Sequence, residues 1–234
     1  NFHEGLVSKN YSPAGSENRK YFSVENAEII DTIREKIEDM KPIITNDEYI
    51  FLLASLMCSA DKVANTASVY GAFLKKFKKS ALKSLKFLPI HTLTNIGGNI
   101  IDQKNILDAD WSKCGAVYFD PPYNSRQYGS NYFMLNYILD YENKETRGIT
   151  GMVDYFKSGF CQASVLLEFK KLLDNPTLPR YIFISYNSEG LVGFEDFKKL
   201  LTMYGSVTLH KLVYMKFKAQ MSVQKLSVDE YLWA

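Results

Sequence analysis

An apolar strand that runs directly into a carboxylate and two prolines is the feature that most constrains this chain. Residues 116–119 (Ala-Val-Tyr-Phe) predict a buried strand, and Asp120-Pro121-Pro122-Tyr123 follows without a linker. Each proline fixes its own φ and offers no N–H, so neither can extend a sheet ladder. In open α/β sheets, ligands bind beyond the carboxyl ends of the strands. The motif therefore indicates either a functional site or a proline-stiffened turn capped by Asp120.

The motif also brings two hydrogen-bond acceptors close together. The carboxylate of Asp120 and the carbonyl of Pro121 can each accept one hydrogen, and the fixed proline geometry would hold the second acceptor rigidly. Aimed at the two hydrogens of an exocyclic amine, this pair would favour a pyramidal nitrogen and free its lone pair. Tyr123 can stack on a planar base. The predicted chemistry is a direct displacement by nitrogen, accelerated mainly by positioning.

The order of apolar runs predicts an α/β fold with a helical first half. Strands are predicted at 99–103, 116–119, 181–185, 207–217 and 230–233, and helices at 165–173 and 194–204. Upstream, Ser23 should cap a helix that Pro42 ends, and Thr45 with Glu48 should form a capping box for a second, buried helix. Residues 8–20 predict a loop. We expect a mainly helical lobe over 1–93 and the sheet within 94–234.

Charge is informative in its distribution, since the net charge is only +2. Six lysines fall within one short stretch, namely Lys75, Lys76, Lys78, Lys79, Lys83 and Lys86. They predict either a phosphate-facing patch or a solvated helix face.

Cysteine spacing and hydropathy exclude several classes of protein. The 3 cysteines form no Cys-x-x-Cys pair, so neither a disulfide framework nor a zinc site is predicted, and no other metal site is indicated. The longest apolar run, 50–60, is too short to span a bilayer. No signal peptide is visible at the start. We expect no membrane partner and a reducing, cytoplasmic compartment.

The run 118–128 (Tyr-Phe-Asp-Pro-Pro-Tyr-Asn-Ser-Arg-Gln-Tyr) resembles adenine-specific DNA methyltransferases of restriction–modification systems. It is most similar to the Dam-like class that includes the type IIS modification methylases. Residues 10–15, 60–66, 185–190 and 230–233 resemble the same family, so the similarity covers most of the chain. It implies a Rossmann-like methyltransferase sheet, S-adenosylmethionine as cofactor and double-stranded DNA as substrate. The target adenine would be flipped out of the duplex.

The resemblance also implies roles for individual residues. Asp120, Pro121, Pro122 and Tyr123 would form the catalytic motif, and Tyr123 would contact the flipped base. Cofactor contacts would come from Asp120 and from Asn105, which stands where the family more often has Asp.

Further candidate substrate contacts lie on both sides of the motif. Arg126 could bind a phosphate or the cofactor carboxylate, or be a surface arginine. Asn187 could line the target pocket or cap a turn. The remaining candidates are Tyr128, just after the motif, and Lys75, Lys76 and Lys79 in the lobe expected to contact DNA.

One element of the family is absent from this sequence. A glycine-rich turn, Phe-x-Gly-x-Gly, normally approaches the methionine part of the cofactor, yet no two of the 13 glycines are separated by a single residue. We therefore expect a partial sheet without its first two strands, leaving an uncovered edge and apolar surface. The chain would be a fragment, one half of a split enzyme whose partner supplies the glycine turn, or a non-catalytic DNA-binding remnant. We favour the first two.

Overall fold

The chain divides into two compact units. A computed structural model describes residues 2–92, 97–215 and 227–234. The helical unit comprises residues 1–96 and 128–156, and the sheet unit comprises residues 97–127 and 157–234. Each unit has its own cluster of buried apolar side chains. No helix in the described part of the chain is both long and apolar enough to cross a membrane.

The helical unit is built from four helices, and the sequence signals for two of them are confirmed. The helices are α1 (Leu6–Tyr11), α2 (Val24–Met40), α3 (Asn46–Val63) and α4 (Tyr128–Asp140). Ser23 caps α2 by accepting a hydrogen bond from the Asn26 N–H. Thr45 and Glu48 form the predicted capping box at the start of α3. Because both caps satisfy N–H groups that have no partner within the helix, they fix where α2 and α3 begin.

A buried carboxylate organises the amino end of this unit. Asp31 of α2 is fully buried and accepts hydrogen bonds from the backbone N–H groups of Gly5, Val7 and Ser8 at 3.0, 2.8 and 2.8 Å. The hydroxyl of Tyr141 donates to the same carboxylate at 2.9 Å. Asp31 therefore supplies acceptors for the first N–H groups of α1, which six residues alone would hardly stabilise.

Three local predictions are wrong or only partly right. The loop predicted at 8–20 begins inside α1, which depends on contacts with α2 that are distant in sequence. The strand predicted at 99–103 is irregular, with Ile100 and Ile101 exposed. Helix α3, predicted to be buried, is buried only in part: Leu56 is fully buried in the core, whereas Ile50 is 54% exposed.

One segment beyond the predicted boundary near residue 93 packs in the helical unit. Residues 128–156 were expected in the sheet domain and instead belong to the helical unit. Four side chains of α4 are buried in the helical core: Phe133, Met134, Tyr137 and Ile138. Buried Arg19 also donates to the hydroxyl of Thr146 and to the carbonyls of Gly148 and Ile149. Burial of these apolar side chains and the hydrogen bonds of Arg19 together hold residues 128–156 in the helical unit.

The sheet unit confirms a mixed α/β arrangement. Its strands are β1 (Ala116–Phe119), β2 (Tyr181–Asn187), β3 (Leu209–Met215) and β4 (Ser227–Trp233), and its helices are α5 (Val165–Leu173) and α6 (Phe194–Thr202). The strand order is β1-β2-β4-β3. β1 and β2 are parallel, whereas β4 is antiparallel to both β2 and β3. The end of the strand predicted over 207–217 lies outside the described residues.

One face of this sheet packs on the helices of its own unit. Val117, Phe119 and Ile184 are buried with Phe169 of α5 and Phe197 of α6. Tyr118, on the opposite face of β1, is 59% exposed. The alternation follows from the two-residue period of a strand.

We predict that Asp31→Ala destabilises the helical unit by about 3 kcal/mol, because it leaves buried N–H groups without an acceptor. Chemical denaturation followed by circular dichroism would measure the free energy of unfolding. Asp39→Ala, an exposed change on the same helix, is the matched control and should cost less than about 0.5 kcal/mol. Equal effects of the two substitutions would contradict the role of Asp31.

Candidate active site

The register of β1 and β2 brings Asp120 to Ser185. Phe119 pairs with Ile184 in the parallel ladder, and the next residues along the two strands meet through a hydrogen bond of 2.7 Å between Ser185 Oγ and Asp120 Oδ1. An ionised carboxylate only accepts, so the hydroxyl donates. Among the described residues, Ser185 is the one donor found for this exposed carboxylate. Its second oxygen is therefore available to a ligand.

The rest of the motif is anchored through the backbone of Tyr123. The carbonyl of Tyr123 accepts from the Leu191 N–H at 2.8 Å and from the Tyr186 hydroxyl at 3.4 Å. Burial raises the pKa of Tyr186, so its hydroxyl stays protonated and able to donate. Pro121 is buried and Tyr123 is 38% exposed. No donor to the Pro121 carbonyl is found within the described ranges, so this acceptor, one residue after Asp120, has no hydrogen-bond partner there.

The loop that follows the motif is held in place by its backbone, which leaves its arginine side chain exposed. The Arg126 N–H donates to Asn124 Oδ1 at 2.9 Å, and the Arg126 carbonyl accepts from the thiol of Cys161 at 3.5 Å. Burial raises the pKa of Cys161, which keeps this thiol protonated. The side chain of Gln127 exchanges two hydrogen bonds with the backbone of Ser158, at 2.8 and 3.2 Å. Arg126 is thus presented on an ordered loop, and its ligand stays a prediction.

Asn187 has the turn-capping role that was one of its two candidate roles. Its side chain is buried, and Oδ1 accepts from the Glu189 N–H at 2.8 Å. Its Nδ2 donates to Glu230 of β4 at 2.6 Å. Since both ends of the amide are engaged, Asn187 fixes the turn after β2. A further contact with a target base stays a prediction.

Asn105 caps a short helical turn in the sheet unit. Its Oδ1 accepts from the Leu107 N–H at 3.1 Å at the start of a 3₁₀ turn, Ile106–Asp108. The residue is exposed. Its assigned contact with the cofactor adenine stays a prediction.

Four of the predicted substrate-binding residues belong to the helical unit. Tyr128 is the first residue of α4, is 55% exposed, and stacks on Tyr132 with ring centroids 5.7 Å apart. The other three are the lysines of the basic segment: Lys75, Lys76 and Lys79. All four residues lie in the helical unit, whereas Asp120 lies in the sheet unit.

The basic segment is irregular, so the interpretation as a solvated helix face is wrong. Lys75, Lys76 and Lys79 are exposed and form no ion pair with any described residue. Lys78 differs, because its ammonium donates to the carbonyl of Thr66 at 2.8 Å. Lys83 and Lys86 are also exposed and form no ion pair with any described residue, so five of the six clustered lysines present unneutralised charge, while Lys78 has a structural role.

Two buried asparagines, Asn65 and Asn26, hold the backbone of this irregular segment through side-chain hydrogen bonds. Neither was identified from the sequence. Asn65 Nδ2 donates to the carbonyls of Lys20 and Leu74 at 2.9 and 3.0 Å, and its Oδ1 accepts from the Lys78 N–H at 3.0 Å. Asn26 makes equivalent bonds further along the segment: it donates to the carbonyls at 81 and 83 and accepts from the N–H at 85. The residues next to Asn65 and Asn26 in the sequence do not indicate these partners, because most of them lie far away along the chain.

Comparison with known proteins places this site in a family. Residues 6–188 match the model of the D12 class N6 adenine-specific DNA methyltransferases. The chain belongs to this family. The match includes β1, the Asp120 motif, Ser185 and the lysine segment, and it confirms the resemblance seen in the sequence. No solved structure shows a significant similarity to the chain.

Several curated relatives of this family member are named type II methyltransferases. The chain is 46% identical to the type II methyltransferase M.CviAII of Paramecium bursaria Chlorella virus 1 over 98% of its own length and 69% of that protein. It is 42% identical to M.NlaIII of Neisseria lactamica over 92% of the chain and 66% of the relative. It is 36% identical to the type II methyltransferase M.FokI of Planomicrobium okeanokoites over 99% of the chain and 37% of the relative. The chain thus spans between 37% and 69% of the length of these relatives.

We predict that Asn65→Ala exposes the lysine segment to trypsin, because the backbone at 74 and 78 loses two hydrogen bonds to the Asn65 side chain. Cleavage after Lys75, Lys76 and Lys79 should accelerate at least about 10-fold if local opening costs 1.4 kcal/mol less. Mass spectrometry of timed digests would locate the cuts.

The matched control for this experiment is Asn143→Ala, an exposed change in the same unit. It should leave the cleavage pattern unchanged. A wild-type digestion rate for Asn65→Ala would contradict the anchoring role.

Proposed function

We propose that this chain binds the target adenine of an N6 adenine DNA methyltransferase from a restriction–modification system. The observation that carries the proposal is the pair of free acceptors, the second carboxylate oxygen of Asp120 and the carbonyl of Pro121, at the carboxyl end of β1. Membership of the D12 class and the type II methyltransferase names of the relatives support the same substrate and system.

The acceptors would act on the exocyclic nitrogen of adenine. That nitrogen is a poor nucleophile, because its lone pair is delocalised into the ring. Hydrogen bonds from its two hydrogens to Asp120 and Pro121 would favour a pyramidal nitrogen with a localised lone pair. Tyr123, partly exposed beside them, would stack on the base. To reach these groups the adenine must leave the duplex, at a cost of a few kcal/mol.

The residues of this chain fit the adenine better than they fit the proposed methyl donor. S-adenosylmethionine, when bound, supplies an electrophilic methyl group on a sulfonium. Asp120 and Asn105 are the cofactor contacts we propose here, and no glycine pair of the required spacing is present among the 234 residues. This chain therefore offers the methyl donor fewer contacts than the family's glycine-rich turn would supply.

We propose that the glycine-rich turn comes from an upstream segment or from a second chain. β1 is the edge of the described sheet, because it pairs with β2 on one side only. Tyr118 on this strand is 59% exposed, and parallel sheets usually have both faces covered. The unpaired edge of β1 presents backbone N–H and C=O groups to which another strand can pair, so it suits further strands of a Rossmann-like sheet. The chain would then be a fragment or one half of a split enzyme.

The lack of a glycine-rich turn in these 234 residues favours a second candidate function. A chain that keeps the adenine site but lacks the glycine turn could bind DNA without methylating it. Methyl transfer by the full-length protein separates the two functions, because the remnant would bind DNA and leave it unmodified.

The lysine segment supports a DNA-contacting role for the helical unit. Lys75, Lys76 and Lys79 are exposed and unneutralised on a backbone that Asn65 and Asn26 fix. We propose that these lysines bind backbone phosphates, which contribute affinity without sequence information.

We predict that Asp120→Ala lowers methyl transfer by the full-length protein at least about 1000-fold, because it removes one acceptor of the pair. DNA affinity should change by less than about 3-fold, since phosphates supply most of it. Mass spectrometric detection of N6-methyladenine and fluorescence anisotropy would measure the two quantities. Asp110→Ala, an exposed change in the same unit, is the control. Wild-type turnover in Asp120→Ala would refute the assigned role.

We predict that Lys75→Gln/Lys79→Gln reduces the slope of log affinity against log salt by about 2, because two phosphate contacts disappear. Anisotropy titrations over a series of salt concentrations would give the slope. The charge-matched control, Lys36→Gln/Lys198→Gln, changes exposed lysines outside the segment and should keep the wild-type slope. Identical slopes for the two double variants would contradict DNA binding by this segment.

A further inference from the structure

We propose that Ser185 is a positioning residue for adenine methylation, and that its hydroxyl orients the carboxylate of Asp120 toward the target amine. The observation is the hydrogen bond of 2.7 Å from Ser185 Oγ to Asp120 Oδ1. The inference rests on the proposed function, because it assumes that Asp120 accepts from adenine.

The geometry of a carboxylate explains why it needs such a partner. The last torsion of an aspartate side chain is broad and roughly two-fold, so the side chain by itself does not fix where its oxygens point. A donor on one oxygen removes that freedom and directs the other oxygen. Since Ser185 occupies Oδ1, Oδ2 is the atom that accepts from the amine hydrogen. A hydrogen bond to a charged acceptor is also stronger than one between neutral groups.

Ser185 is itself held on a rigid element. It lies within β2, which pairs with β1 on one side and with β4 on the other. In the antiparallel ladder Ser185 is the partner of Leu232. A side chain on a strand between two others is placed more precisely than one on a loop. Asp120, by contrast, lies just beyond the end of the edge strand, where its own backbone gives less support.

The hydroxyl contributes little to the hydrophobic core. Ile184 and Tyr186, the neighbours of Ser185 in the sequence, are buried in the core of the sheet unit, whereas Ser185 is half-buried on the opposite face. Its partner Asp120 is exposed, so water can replace the lost donor. A purely structural role therefore predicts a small loss of stability and an unchanged kcat. A positioning role predicts a lower kcat.

The test compares Ser185→Ala and Ser185→Thr in the full-length protein. For Ser185→Ala we expect kcat for DNA methylation to fall about 10- to 100-fold, the range that misplacement of a reacting group produces. The KM for DNA should change by less than about 3-fold, because phosphate contacts are untouched. Ser185→Thr keeps the hydroxyl and suits a strand, so its kcat should stay within about 3-fold of wild type.

The control is Ser206→Ala, which removes an exposed hydroxyl elsewhere in the sheet unit. Ser206 lines a cavity together with Tyr181, the first residue of β2. It should leave kcat and KM unchanged. If Ser185→Ala melts at a lower temperature than this control, Ser185→Cys takes its place, because the thiol fills similar space but donates weakly.

Two results would overturn the proposal. One is a wild-type kcat for Ser185→Ala, and the other is an equal loss in Ser185→Thr, which would assign the effect to packing. Asp120→Ala distinguishes these failures from failure of the proposed function. If Asp120→Ala is inactive while Ser185→Ala is fully active, the acceptor role of Asp120 stands and the role of Ser185 is refuted.

Discussion

The parallel pairing of β1 with β2 is the interaction on which the candidate site depends. Val117 and Phe119 point into the same core as Ile184, and this burial fixes the register in which Phe119 pairs with Ile184. A slip by one residue would turn Phe119 to the opposite face of the sheet. It would also separate Asp120 from Ser185. Packing of the apolar side chains in the core thus determines which polar groups meet at the carboxyl ends of β1 and β2.

The two units contribute different kinds of contact to the proposed reaction. The sheet unit holds the acceptors Asp120 and Pro121 at the end of a short strand that buries one face only. The helical unit holds exposed lysines on a segment that has no regular secondary structure. Side-chain hydrogen bonds from two buried asparagines, Asn65 and Asn26, hold the backbone of this segment. A reaction accelerated mainly by positioning requires fixed groups, and in both units the fixing residues lie far away in the sequence.

Local signals in the sequence were sufficient for part of this structure. The caps of α2 and α3, the strand at 116–119 and the Asp120 motif follow from neighbouring residues and were predicted. Helix α1 was missed because Asp31 of another helix stabilises it, and residues 128–156 were misplaced because long-range burial decides their unit. Ser185 was part of a family-like run, but only the strand register reveals its bond to Asp120.

The central claim is that these 234 residues hold the adenine side of the site and not the methionine side. Isothermal titration calorimetry of the chain with S-adenosylmethionine tests it most directly. We predict no saturable binding tighter than about 1 mM, equivalent to roughly −4 kcal/mol. A stoichiometric isotherm with a Kd near 1 μM, about −8 kcal/mol, would contradict the claim, because it would show that this chain binds the cofactor without a glycine-rich turn.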